Sequence, residues 1–226
     1  MKYLIPNVGT AFRDYLNTDI PNVTATLKQI RDYTAHRDEF DEYPSLRAMT
    51  TVINWKSNVS GSDLTHNFRT ALEADMVRGD MFYDPASGTI GLVNWYVDRM
   101  VDCLRTQITE CNVRVSVERE QEEILDPGTG QALVPGGPKT LVDRMPAVYY
   151  EMYGRYDFTE RTSTPGVFPD QEVEIRLQMN PETGAIQSGD TIMIRGIEHV
   201  IEIVNRSQLN MDGTRGVLSL ICKRTV

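Results

Sequence analysis

Few residues of this chain combine the type and the spacing that catalysis needs. Its three histidines, His36, His66 and His199, never fall three or four residues apart, the spacing that would set two imidazoles on one helical face as metal ligands. His199 sits among Ile197, Ile201 and Ile203, which alternation would place on one strand face. A lone histidine in that setting is a packed structural group rather than a ligand or a base. Cys103, Cys111 and Cys222 are odd in number and contain no Cys-x-x-Cys pair. They fit neither a disulfide framework nor a zinc module and point to a reducing compartment. The run Gly136-Gly137-Pro138-Lys139-Thr140 has the residue types of a phosphate loop, but Pro138 breaks the Gly-Lys-Thr contiguity that the loop requires between strand and helix. With no Gly-x-Ser-x-Gly elbow and no cysteine in a nucleophile context, the expectation is a protein that is not an enzyme and uses no metal or cofactor.

Residues suited to contact are better represented. Glu120, Glu122 and Glu123 form an acidic run that reads most simply as a solvated face, and alternatively as a surface for an arginine-rich partner. An excursion from Glu122 to Leu141 follows, whose turn residues Asp126-Pro127-Gly128-Thr129-Gly130 and Pro135-Gly136-Gly137-Pro138 exclude a regular helix or a central strand. At about 20 residues it outruns ordinary hairpin connections, and half of it extended as one arm reaches on the order of 30 Å. Glu122, Glu123, Asp126, Gly128, Gly130, Pro135, Gly136, Gly137 and Lys139 are therefore candidate interface residues, projecting toward neighbouring subunits or a channel lumen. The plainer reading is an idle surface hairpin. A tyrosine cluster comes next, Tyr149, Tyr150, Tyr153 and Tyr156. Alternate tyrosines on a strand would pack inside a barrel while the others face out, and the ring with its polar hydroxyl suits interfaces, so Tyr149 and Tyr153 join the candidates, with core packing an equal reading.

The elements that must position these residues divide near residue 109. Val23, Leu27 and Ile30 recur at helical spacing after Pro21 and Asn22, which predicts a helix from Asn22 to Tyr33. Leu46 to Trp55 alternates as a strand, with Met49, Thr51, Ile53 and Trp55 on one face. Ser62-Asp63 offers a cap to a second predicted helix in which Leu64, Phe68, Leu72 and Met76 step by four before Arg78-Gly79 stops it. Ile90 to Ile108 carries the strongest helical stripe, Leu92, Tyr96, Val97, Met100, Val101, Leu104 and Ile108, with Asp98, Asp102 and Arg105 opposite. From Glu110 the period becomes two and stays there. At least six short strands at close spacing read as a small antiparallel barrel or sandwich. The expected fold is α+β: a helix-rich α+β domain over 1–109, followed by a small antiparallel β-barrel over 110–226.

Composition bounds the function. The 226 residues are 40% hydrophobic and 24% charged, a globular balance that excludes wholesale disorder and coiled coil. Twenty-three basic against 32 acidic side chains leave a formal charge of −9, against a free-standing nucleic-acid binder held by phosphate neutralisation. Residues 110–226 alone carry 12 basic and 18 acidic side chains, so neither half is a polycation. No apolar run approaches the roughly 20 residues of a bilayer span, and the start lacks the apolar stretch of a secretory signal, so no membrane partner is expected.

About the last 50 residues of the chain resemble a known family. In order stand Val173-Glu174-Ile175-Arg176-Leu177, then Ile186 through the Gly189-Asp190 turn and the Arg195-Gly196 hairpin to Val204, then Gly216 through the closing strand to Arg224. This order resembles the head-tail joining proteins of tailed bacteriophages, the small-barrel stopper or head-closure proteins, and it extends more loosely back to Asn112. The resemblance implies a structural protein of the virion neck, made in the host cytoplasm. It further implies a homo-oligomeric ring, commonly of six copies, that contacts a portal or adaptor protein on one side and a tail terminator or tail proteins on the other. Genomic DNA would touch it in transit through the channel, and an acidic balance suits a surface that a polyanion must pass without sticking. Residues 1–109 exceed a simple stopper and resemble the α+β tail-terminator proteins instead. A tail terminator or tail-tube protein is thus one alternative, and a carbohydrate- or receptor-binding β module another.

Overall fold

A computed structural model of the chain describes residues 24–33, 39–53, 65–72, 74–101, 103–151 and 172–225. The described residues form strands and two short 3-10 turns, with no α-helix among them. The first seven strands are β1 (Thr24–Ile30), β2 (Ser45–Ile53), β3 (Thr65–Thr70), β4 (Met81–Asp84), β5 (Thr89–Val93), β6 (Asp98–Arg99) and β7 (Leu104–Glu110). They make one antiparallel sheet in the order β3-β2-β1-β4-β5-β7-β6, and because β3 also pairs with β7, six of them close into a barrel. Its interior is a cluster of Leu27, Ala48, Phe68, Phe82, Val93, Leu104 and Ile108, with Met76.

The predicted helix-rich N-terminal domain is therefore corrected to a β-barrel, and the reason is that β1, β4 and β5 bury both faces, each in its own core. Leu27 points into the first barrel while Ile30, three residues on, belongs to a second core outside it. Two residues on opposite faces of a strand, each with its own core, mimic the i, i+3 spacing of one helical face. The stripe from Ile90 to Ile108 decomposes the same way. Ile90 and Leu92 face the outer core and Val93 the inner one, the chain turns through β6, and Leu104, Thr106 and Ile108 then alternate inward along β7. Tyr96, Met100 and Val101, placed by helical reasoning on the buried stripe, are exposed. Of the predicted helix from Ser62, residues 62–64 lie outside the described residues, 65–70 form β3 with Phe68 inside the barrel, and 74–79 run irregularly to Gly79. The expected strand over 46–55 is β2, although Trp55 lies outside the described residues.

Only Cys111 and Asn112 separate β7 from β8 (Val113–Gln121). The remaining strands are β9 (Ile124–Leu125), β10 (Ala132–Val134), β11 (Gly137–Glu151), β12 (Glu172–Gln178), β13 (Thr191–Ile194), β14 (Ile197–Leu209) and β15 (Gly216–Arg224). Six of them close into a second barrel, β11-β12-β15-β14-β13-β8, while β9 and β10 pair only with each other. Alternation sets the inside. Val173, Ile175 and Leu177 stand opposite Cys222, Leu220 and Leu218, all buried, and Val115 and Val117 oppose Ile194 and Ile192. The β13–β14 hairpin turns on Arg195 and Gly196, both at positive φ (52° and 78°), as the two-residue turn that matches strand twist requires. The expected single face of Ile197, His199, Ile201 and Ile203 breaks. His199 and Ile201 are buried, but a bulge between Ile201 and Ile203 turns Ile203 outward, and Ile197 is exposed beside the hairpin.

The two barrels share a core. Ile30, Tyr33, Met81, Ile90 and Leu92, on the outside of the first barrel, cluster with the second barrel's apolar residues. Gln178 is buried between them: its Oε1 accepts from the Tyr33 N–H (2.9 Å), and its Nε2 donates to the carbonyls of Ile30 (3.1 Å) and Gly79 (2.8 Å). Beside it, buried Asp80 accepts from Arg215 Nη2 (2.8 Å) and Gln29 Nε2 (2.9 Å). Burial raises the Asp80 carboxyl above its ordinary range, against the pull of hydrogen bonds from Val77, Gln29 and Arg215.

Candidate functional site

The excursion after Gln121 is an ordered arm. β8 and β11 form a long hairpin, paired out to Gln121 and Gly137, and beyond that point β9 and β10 continue as a small two-stranded sheet. The sequence reading of this stretch as an excursion without an element is thus corrected. Asp126 to Gly130 make the turn between β9 and β10, Pro135 and Gly136 separate β10 from β11, and Gly137 and Pro138 open β11 itself, opposite Gln121 and Glu120, at the strand's first residues where proline is tolerated. Asp126 locks the tip: its Oδ1 accepts from Gly128 N (2.8 Å), its Oδ2 from Thr129 Oγ1 (2.8 Å), and its carbonyl from Gly130 N (2.8 Å). These hydrogen bonds from Gly128 and Thr129 hold the Asp126 carboxyl below its usual range. Gly130, at φ 67°, supplies the left-handed residue that returns the chain.

The arm brings together most of the residues selected from sequence. Glu122 and Glu123 are exposed at its base, Asp126, Gly128 and Gly130 make its tip, and Pro135, Gly136 and Gly137 return to β11, where Lys139 is exposed opposite Arg119. Tyr149 does not join them. It lies twelve residues beyond Gly137 on the same strand, up to roughly 40 Å away at the rise of a strand. There the Arg195 guanidinium stacks 4.9 Å above its ring, and Asn112 pairs with both its backbone N–H and its carbonyl. Tyr153 lies outside the described residues.

What turn chemistry could not show is that the arm carries apolar side chains into solvent: Ile124, Leu125 and Leu133 are 54%, 52% and 64% exposed. A second exposed set lies on the chain between β5 and β7, where helical spacing had assigned Tyr96, Met100 and Val101 to a core and left Trp95 unassigned. Trp95 and Tyr96 meet edge to face at 6.1 Å, with Met100 and Val101 a few residues on. Thr106 Oγ1, 3.3 and 3.0 Å from the Trp95 and Tyr96 carbonyls, fixes this stretch to β7.

Titratable groups elsewhere have structural surroundings. Burial pushes the Cys111 and Cys222 thiols up to about 12, away from any thiolate. Burial lowers the His199 pKa below its ordinary value, and its Nδ1 lies 3.1 Å from the Ile197 carbonyl, which can accept a hydrogen bond from the Nδ1–H of the neutral ring. Where the barrels join, an open cleft of about 430 Å³ is lined by Thr89, Glu110, Cys111, Arg114 and Pro146, among others. Arg114 donates there to Tyr33 Oη and the Arg144 carbonyl. Among the described residues, no group of three or more His, Cys, Asp or Glu side chains is gathered as for a metal ion, and no helix is long and apolar enough to cross a membrane.

The fold and arm define a class: two antiparallel barrels in tandem, packed through a common core, with one ordered hairpin arm. No protein family, curated protein or solved structure matches the chain.

Proposed function

We propose that this chain is a non-enzymatic structural protein of a tailed-phage neck, which joins portal or adaptor to tail as a ring and helps close the DNA channel. The observation that carries this reading is the second barrel. Its strands β12 to β15 present, in order, the segments whose sequence resembles the head-closure proteins, with the Gly189-Asp190 turn and the Arg195-Gly196 hairpin between them. In support, Asp190 is buried in that turn and bound by the Arg119 guanidinium at 2.7 and 2.9 Å, which ties the turn to β8. The arm gives the barrel a means of reaching a neighbour, and the acidic balance suits a lumen through which DNA slides.

Purified virions decide the matter. The chain should be found in particles at a fixed copy number and antibody against it should label the head-tail junction. Its absence from particles, or labelling at the distal tail, would overturn the reading. A second reading is favoured by one observation, the exposed Trp95 and Tyr96 pair, which has the aromatic surface that a carbohydrate-binding module offers to a sugar face. A specific glycan-array signal lost in Trp95→Ala would select it.

A further inference from the structure

Two exposed surfaces of this one chain complement each other. The arm presents Ile124, Leu125 and Leu133 to solvent, each more than half exposed, with the exposed carboxylates Glu120, Glu122 and Glu123 at its base. The first barrel presents Trp95, Tyr96, Met100 and Val101 at 54%, 64%, 48% and 90% exposure. The border of that second surface is basic. Strand register sets Arg69 of β3 directly opposite Arg105 of β7, and Asp98 of β6 opposite Arg105 on the other side, so the row holds two exposed guanidiniums to one carboxylate, with exposed Arg99 next along β6. Like charges set directly across a strand pair repel, a cost that an acidic ligand over the row removes.

We propose that the arm of one copy docks on the Trp95–Val101 surface of a second copy, its apolar tip against the aromatic pair and Glu122 and Glu123 over Arg69 and Arg105. The arm does not fill its own chain's surface, since both stay exposed within the single chain. The contact joins two different faces, so it is heterologous and propagates from copy to copy, closing a ring or growing a filament according to the rotation it imposes. Three large apolar side chains with a charged rim fall short of the roughly 800 Å² per partner typical of a stable pair. A single contact is therefore weak, and ring closure strengthens it because every copy then makes two. This inference rests on the ring-forming role proposed above and names the surfaces that build the ring.

The test uses the full chain at millimolar concentration with a photo-crosslinking amino acid at Leu133, mixed with an isotope-labelled copy so that crosslinks between molecules are identified by mass. Crosslinks between copies should map to 94–105. The pair Glu122→Lys and Glu123→Lys should reduce their yield about tenfold, and mixing that variant with Arg69→Glu, Arg105→Glu copies should restore it. Crosslinks between copies at other surfaces, no crosslink between copies, or a yield indifferent to charge reversal would each overturn the docking. Failure of the joining role is seen separately, as absence of the chain from the neck of virions, whatever the crosslinks show.

Discussion

Gly79 and Gly216 meet backbone to backbone where the two barrels touch. Both have positive φ (91° and 135°), and a Cβ on Gly79 would run into the carbonyl of Gly216. The neighbouring bonds depend on that approach: Met179 N–H donates to Gly216 O (2.9 Å), and Gln178 Nε2 reaches Gly79 O (2.8 Å). Gly79→Ala combines left-handed strain with a clash against backbone that cannot rotate away. It should cost about 2–4 kcal/mol, read as a lower urea midpoint, and a midpoint equal to that of the unaltered chain would mean the barrels do not meet there.

Gln178 tests whether the two barrels unfold as one. Gln178→Leu keeps the bulk but strands the Tyr33 N–H and the carbonyls of Ile30 and Gly79 in a dry interface, at about 1–3 kcal/mol for each group left unpaired. Trp95 lies on the stretch that Thr106 ties to β7, so its fluorescence follows the first barrel, while far-ultraviolet circular dichroism follows both. The two signals should fall together in the unaltered chain and separate in the variant. Separate transitions already present in the unaltered chain would show that the shared core does not couple the barrels.

Asp190→Asn should be among the most damaging changes in the second barrel. It removes the charge from the bidentate pair with Arg119, and it weakens the hydrogen bond from Gln187 N (2.7 Å) that closes the turn. Breaking one side of a buried pair costs about 3–5 kcal/mol. Because the Arg119 side chain is about one third exposed, the loss should sit at the low end of that range. Calorimetry on the full chain measures it.

His199 gives the second barrel an acid sensitivity. Burial lowers its pKa in the folded chain below the ordinary value near 6.5, with the Arg224 charge adding to the same direction. The unfolded chain therefore binds more protons as pH falls below about 6.5, and stability drops through that window while remaining whole above it. His199→Gln should flatten the slope of stability between about pH 6.5 and the lower folded pKa, whatever it does to stability at pH 8. An unchanged slope would assign the acid sensitivity to other groups.

The second barrel was legible because β8, β12 and β13 each have one wetter face. Glu172, Glu174 and Arg176 alternate with Val173, Ile175 and Leu177, and only a strand with a core on one side and polar surroundings on the other writes that pattern. The arm's turns were legible for a local reason too, since Asp126, Gly128 and Gly130 make their hydrogen bonds with one another. The first barrel was not legible. Leu27 and Ile30, or Leu92 and Val93, are buried in different cores, and a linear pattern cannot record which core a residue faces. The bulge that turns Ile203 outward and the exposure of Trp95 and Tyr96 share that origin, because whether an apolar side chain ends up covered depends on strands distant in sequence. Residue order therefore determined where strands alternate and where the chain turns. The packing of one barrel against the other decided which alternations were doubled.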